Sequence, residues 1–364
     1  MKKLETLIQE KRIEKFGQYT IEHAMRLDIE LTQIKNLGME NTFLVCYHLT
    51  QLVKKNKGLI GPSPALSSSS LVLYLLGVSM VNPMEHGLLF EHFSPIKHKS
   101  TVTIGMEVDM DSLTQIRNQL TDSGFLFDNM HIKDSTFCNV LELSIDDNTI
   151  QLSGSKVLTE LSWRKNIDFS SLSLNDMSIF QKLSDPKQII SMRVLKSDFF
   201  VGYTMEQNKF LNQYAPKSIE DLAQVFVYLK PWCKYDLDSI LKRRKGVSDL
   251  TMFQKKFFME TNGIYTFPEQ VSSMLQRHLS FSKHQTQSYQ RAVRKKVDEL
   301  YNACEELFFE NAREDDYDLI DLEQIWYNMT HYNISMTDKT MVIGEAILLY
   351  WWVYSTFHKL NIHS

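Results

Sequence analysis

The sequence predicts an α+β protein that is predominantly helical, with a small mixed sheet and its helices followed by a helical domain. Three observations carry this. Apolar residues recur at helical spacing over most of the chain; residues 101–111 alternate with period two; and short strand-like runs follow, two of them flanking an Asp-Asp-Asn turn. At 364 residues the chain has room for two compact domains. The change to purely helical patterning divides it into 1–165 and 166–364.

The elements follow in order. Leu27, Leu31 and Ile34 share one helical face, which Gly38 terminates. A second helix covers 42–54 and ends in Lys54, Lys55 and Lys57. A Gly-Pro-Ser-Pro loop, 61–64, leads into an apolar helix over 66–81 entered through serines. In 101–111, Val102, Ile104, Met106, Val108 and Met110 alternate with polar residues, the spacing of a strand. A helix over 112–120 ends at Ser123-Gly124. Strands are expected at 125–132, 136–145 and 149–152, the last two joined at Asp146-Asp147-Asn148. Beyond 166 the pattern is helical. Ser218-Ile-Glu-Asp221 reads as a capping box for a helix to 229, and 288–310 reads as one long amphipathic helix.

Composition excludes several classes. Apolar residues at 43% and charged residues at 23% describe an ordinary globular chain with ample core. A net charge of −4 supplies no global attraction to nucleic acid, so phosphate binding must come from local patches. Cys46, Cys138, Cys233 and Cys304 form no CxxC pair, and the histidines form no HExxH motif. The charged, helical start has no apolar core of a signal peptide. The run 341–357 is interrupted by Glu345 and falls short of a ~20-residue span, so a buried final helix is expected rather than a membrane anchor.

Four blocks, in order, resemble one family. From Arg26 the chain reads RLDIELTQIKNLGMENTFLVCYHLTQLVKKNKGLIGPSPALSSSSL, where the family has roughly RLxxELxxIxxMGFxxYFLIVxDfixyAKxxgixVGPGRGSxxGSL. Residues 82–93, NPMEHGLLFEHF, are similar to DPLxxxLLFERF. Residues 216–231 resemble PxxFEDLIALVALYRPGP. Residues 260–271, ETNGIYTFPEQV, resemble ETYGVIVYQEQV, with RAVRKK at 291–296 where the family has RRAMGKK. The family is that of the bacterial replicative polymerase III alpha subunit. The resemblance covers about 12–360 and implies a nucleotidyltransferase-like palm followed by helical fingers, with the thumb region cut to about 121–149.

The resemblance also says where chemistry should sit. Nucleotidyl transfer needs two metal ions held by carboxylates, supplied in the family by a D-x-D-x-D strand and an aspartate in an F-D-F-L-G strand. Here the acidic strand offers Glu107, Asp109 and Asp111, which period two places on one face as a candidate Mg²⁺ or Mn²⁺ site. A second register puts Gly105, Glu107 and Asp109 on the triplet. The third aspartate is replaced by Gln151, a neutral amide that cannot balance divalent cations. In the phosphate loop, Gly61 is kept, but Pro64 and Leu66 stand where the family has arginine and serine. Ser67 and Ser68 begin a serine run able either to meet phosphate at a helix start or simply to cap it. Phe200-Val-Gly-Tyr-Thr204 and Ile334-Ser-Met-Thr-Asp338 depart from the family's polar finger segments.

Basic clusters remain at Lys242, Arg243, Arg244 and Lys245, and at Arg291, Arg294, Lys295 and Lys296. They are either phosphate contacts or a solvated helix face. An acidic run over 305–323 opposes them. The expectation is a polymerase-like protein without catalysis and without a resident cofactor. Its partners would be DNA, primer–template or single-stranded, or a replication protein, in the cytoplasm and away from membranes. The alternatives are an interaction scaffold without DNA affinity and an active enzyme with rearranged carboxylates.

Overall fold

The computed structural model describes residues 3–16, 19–90, 93, 101–123, 131–135, 139–164, 167–185, 205–230, 237–246, 250–313, 318–332 and 337–361. The chain forms two compact units. The first comprises 1–200, 217–220 and 343–364; the second comprises 201–216 and 221–342. The division does not follow the expected boundary at 165. Residues 167–185 and most of the closing helix belong to the first unit, where Arg164 bonds the Ser355 hydroxyl and Tyr350 donates to the Ser173 carbonyl at 3.1 Å.

In the first unit, α1 (Leu4–Lys15), α2 (Ile21–Asn36), α3 (Glu40–Lys55) and α4 (Leu71–Leu76) precede β1 (Thr103–Asp109) and α5 (Met110–Ser123). Then come β2 (His131–Ser135), β3 (Val140–Ile145), β4 (Asn148–Ser155), α6 (Lys156–Ser162) and α7 (Met177–Leu183). The four-stranded sheet has the order β1-β4-β3-β2, with β1 and β4 parallel and the other pairs antiparallel. Its buried face carries Ile104, Met106, Val108, Leu141, Leu143, Ile145, Ile150 and Leu152 in one core with α3 and α5. The expected turn is present: Asp146 and Asp147 both take positive φ, 47° and 65°, between the paired residues Ile145 and Asn148. That is the backbone of a two-residue type I′ hairpin. Asn148 then accepts the Val102 N–H at 3.1 Å and so ties β4 to the start of β1.

Three expectations are corrected. The helix over 66–81 is a 3₁₀ turn, Ala65–Ser69, and the short α4, because Ser70 is extended and caps α4 through the Leu73 N–H. Strand β1 stops at Asp109. Its carboxylate accepts the Ser112 N–H and hydroxyl, at 2.8 and 2.7 Å, and so starts α5, leaving Asp111 in the helix. Residues 131–135 and 140–145, assigned to a reduced thumb, supply two strands of the palm sheet. The strand expected at 125–132 falls mostly outside the described residues.

One buried carboxylate organises the α2–α4 region. Glu30, fully buried, accepts from Arg26 Nε at 2.6 Å, the Ser70 hydroxyl at 2.8 Å, and the Leu71 and Val72 N–H groups at 2.9 and 3.1 Å. Burial raises its pKa, while Arg26 and the N–H donors pull it back. Arg26 in turn donates to the Ser69 and Leu88 carbonyls.

The second unit contains α8 (Met205–Tyr214), most of α9 (Ile219–Tyr228), α10 (Leu237–Arg244), α11 (Met252–Phe258), α12 (Pro268–Arg277), α13 (Lys283–Lys295), α14 (Asp298–Arg313) and α15 (Leu319–Tyr332). Its core gathers Phe253, Phe258, Val271, Leu275, Tyr289, Cys304, Phe308 and Trp326. The single helix expected over 288–310 is two helices. Lys296 adopts φ 51°, ψ 55° and ends α13, and the Val297 N–H returns to Ala292. A buried polar network joins the third and fourth blocks: Tyr214 and Tyr228 both donate to Gln224 Oε1, and Gln224 donates to the Glu260 carbonyl.

The chain closes with α16 (Lys339–Asn361), whose Val342, Ile343, Ala346, Ile347 and Tyr350 are buried. This is the buried final helix the sequence predicts. No helix among the described residues is long and apolar enough to cross a membrane.

Arg26→Ala strands the Glu30 charge in the core. The expected loss is about 3–5 kcal/mol, read as a lower urea midpoint with an unchanged m-value.

Candidate active site

The polar face of the sheet is set by strand parity. Because β1 and β4 are parallel with Gly105 beside Gln151, and β3 places Glu142 on the other side of Gln151, these residues form one row across three strands. The next row holds Glu107 and Ser153. The structure therefore brings Gly105, Glu107, Glu142 and Gln151 to one face. Asp109 is 1% exposed, and besides Ser112 it accepts the Leu59 N–H at 2.7 Å. Asp111 is exposed on α5 and accepts the Trp163 indole N–H at 3.1 Å. The expected single-face triplet of Glu107, Asp109 and Asp111 is not formed. Gly105, Glu107 and Asp109, the second register, share one strand parity, but the Asp109 carboxylate is committed to Leu59 and Ser112.

Glu142 was not singled out from the sequence, although the hairpin turn fixes its pairing. Glu107 and Glu142 stand on strands separated by β4, so strand spacing alone puts their backbones about 10 Å apart. Two-metal catalysis holds its ions ~3.5–4 Å apart. Among the described residues there is no group of three or more His, Cys, Asp or Glu arranged to hold a metal ion.

The loop over this face is closed by internal bonds. The Gly61 N–H donates to the Glu107 carbonyl at 2.7 Å, and Ile60 bridges Val108, so the loop's entry covers the free edge of β1. The Pro62 carbonyl accepts from the Met80 N–H and the Ser79 hydroxyl. Ser63 and Ser79 both bond Ser68. Ser67 accepts the Gly105 N–H at 2.9 Å. Pro64 is buried and Leu66 is 41% exposed. A Cβ built on Gly105 would stand 3.3 Å from the Pro64 carbonyl oxygen, so the loop occupies the space that a side chain at 105 would need. Gly344 of α16 admits Ser63 in the same way, since a Cβ there would collide with it. The Leu71 and Val72 N–H groups opening α4 are taken by Glu30 and the Leu73 N–H by Ser70, so within the serine run it is Ser70 that caps the helix.

In the second unit the basic positions separate. Arg244 pairs with both carboxylate oxygens of Asp221, the nearer at 2.5 Å. It also donates to the Tyr214 carbonyl and lies 3.9 Å from the Tyr214 ring, so it is structural. Arg243 is half-buried, whereas Lys242, Lys245, Arg291, Lys295 and Lys296 are exposed. The side chain of Arg294, residues 200–204 and residues 334–336 lie outside the described residues. Glu269, buried in α12, accepts the Lys339 N–H at 3.0 Å. Burial lifts its carboxyl to about 7, with Asp338 pushing the same way and Lys339 opposing.

A mixed sheet with a helix-led palm arrangement, joined to an all-helical unit, is a polymerase-type palm and fingers. Residues 2–123 match the bacterial DNA polymerase III alpha NTPase domain, and residues 151–316 match the bacterial DNA polymerase III alpha subunit finger domain. The chain belongs to the bacterial DNA polymerase III alpha family. It is 20% identical over 437 aligned residues to the DNA polymerase III subunit alpha of Mycoplasma genitalium, covering 90% of this chain and 50% of that protein. It is 19% identical to that of Ureaplasma parvum, over 93% of this chain and 46% of that protein. A shorter match, 33% identical over 110 residues, joins it to the subunit of Buchnera aphidicola, covering 30% of this chain and 9% of that protein. The chain thus spans half or less of these relatives' length.

Two outcomes are expected. Gly105→Asp, which places a side chain where the Pro64 carbonyl stands, forces the Pro64 loop to shift and costs about 1–3 kcal/mol, measured by thermal or urea unfolding. Glu269 holds its proton more tightly folded than unfolded, so its contribution is complete below about pH 4.5 and is lost as pH rises through 7. The full loss is on the order of 3 kcal/mol. Glu269→Gln flattens this fall between about pH 4.5 and 7 in urea titrations.

Proposed function

We propose that this chain is a polymerase III alpha-like protein that has lost nucleotidyl transfer and binds DNA through the exposed cations of its second unit. One observation carries the loss of catalysis: Gln151 and Gly105 sit side by side where carboxylates are required, beneath a loop held down by the Gly105–Ser67 and Gly61–Glu107 hydrogen bonds. Among the described residues that face carries no carboxylate cluster from which Mg²⁺ or Mn²⁺ could activate a primer hydroxyl and hold a triphosphate. The relatives' name, DNA polymerase III subunit alpha, supports DNA and the replication machinery as partners and a cytoplasmic setting. The exposed Lys242, Lys245, Arg291, Lys295 and Lys296 supply phosphate-binding charge without requiring an overall basic protein.

Primer extension with Mg²⁺ and with Mn²⁺ should give no incorporation; incorporation abolished by Glu107→Gln would restore the enzyme reading. In anisotropy with primer–template DNA, affinity should fall with salt. Replacing Lys242, Lys245, Arg291 and Lys295 by alanine should flatten that slope by about one unit for each phosphate-binding side chain removed. Weak binding that ignores both salt and these substitutions would leave an interaction scaffold.

A further inference from the structure

The first unit contains a cleft of ≈ 1070 Å³ that none of Gly61, Gly105, Glu107, Glu142 or Gln151 lines. One part of its wall comes from α1, α3 and the end of α4, and another from α5, α6 and the segment that follows α6. Lys11, Lys15, Lys54 and Lys57 converge on the first part. Lys15 donates to the Tyr74 carbonyl at 2.5 Å and lies 3.8 Å from the Tyr74 ring. Lys54 Nζ lies 3.7 Å from where a Cβ on Gly77 would stand. The cations therefore gather around the carbonyl end of α4.

Capping explains one of them. The end of a six-residue helix draws a single cation, and Lys15 already meets its carbonyl. Lys11 is paired with Glu14, so the surplus charges are Lys54 and Lys57. Surrounding protein, then the like charges of Lys54 and Lys11, hold the Lys15 ammonium below the ordinary lysine range, even though its side chain still touches solvent.

The acids of the cleft are engaged elsewhere. Glu14 pairs with Lys11 at 2.7 Å, Asp109 is spent on Leu59 and Ser112, and Asp168 accepts from Ser170 and Ser171. Asp111 holds the Trp163 indole by its N–H while that side chain stays 59% exposed. Lys54 and Lys57 are exposed, and among the described residues neither ammonium makes a hydrogen bond or ion pair.

We infer that this cleft binds a nucleoside polyphosphate, its phosphate chain on Lys54 and Lys57 and its base against the Trp163 ring. The chemistry suits each part. Phosphate oxygens gain charge-assisted bonds from the ammonium groups, and a planar base stacks on an indole held at its edge. The volume lies just above the range of about 300–1,000 Å³ for small-ligand sites and leaves room for water around the ribose.

The test uses ATP, inorganic tripolyphosphate and a single-stranded oligothymidylate with the full chain, by equilibrium dialysis and tryptophan fluorescence. ATP should bind at one site per chain, raise the melting temperature and quench fluorescence. Tripolyphosphate should compete with it without quenching. Lys54→Ala combined with Lys57→Ala, two exposed positions, should weaken ATP by about tenfold or more with an unchanged melting temperature in the absence of ligand. Trp163→Phe should abolish the quench while leaving tripolyphosphate affinity intact. No ATP binding to the wild type would overturn the assignment, as would ATP affinity unchanged in the double lysine variant. Binding of the oligonucleotide alone, with ATP excluded, would also overturn it and make the cleft a path for a strand.

Discussion

The first unit depends on a carboxylate that never meets water. Glu30 takes the place an external anion would take at the start of α4, accepting the Leu71 and Val72 N–H groups and the Ser70 hydroxyl, with Arg26 as counter-charge. Fixing Ser70 fixes the 3₁₀ turn before it, and that turn carries Ser67 onto the Gly105 N–H and Pro64 against the same glycine. A chain of short-range constraints thus runs from α2 to the centre of the sheet. Helix N-termini are natural anion sites because their N–H groups are unsatisfied. Here the demand is met from inside the protein.

The departures from the family pattern are physically coupled. Clustered carboxylates repel one another, and a metal ion is what makes their proximity tolerable. With Gln at 151 and Gly at 105, Glu107 and Glu142 remain on strands that β4 separates, which greatly weakens their mutual repulsion. The missing side chain at Gly105 is also what lets Pro64 approach, and the missing one at Gly344 lets Ser63 approach. The bare glycines and the closed loop are therefore two sides of one packing arrangement, since a side chain at 105 or 344 requires the loop to move.

How much of this the sequence discloses varies by element. The alternation in β1, the Asp146-Asp147 turn and the buried closing helix follow from periodicity and turn chemistry, and the structure has all three. The end of β1 does not follow from alternation. Period two continues on paper through Asp111, but the Asp109 side chain competes for the Ser112 N–H and converts the strand end into a helix cap. The break at Lys296 is hidden because a lysine occupies the left-handed position where glycine or asparagine would announce it. Glu142 was within reach of arithmetic: once Ile145 pairs with Asn148, counting back along both strands sets Glu142 beside Gln151. Arg244 was not, since its partner Asp221 lies on another helix.

That last pairing bears on how the second unit presents its charge. Arg244 is held by Asp221, by the Tyr214 carbonyl and by the Tyr214 ring, and Tyr214 belongs to the buried network with Gln224 and Tyr228. A satisfied network of this kind rigidifies its surroundings, because any displacement leaves a polar group unpaired in a low-dielectric interior. With Arg244 turned inward, helical geometry sends Lys242 and Lys245, three residues apart, outward together. The internal arginine thereby fixes the direction of the exposed lysines. Losing Arg244 would loosen the direction in which α10 presents its lysines, whereas losing Lys242 or Lys245 would remove the charge itself.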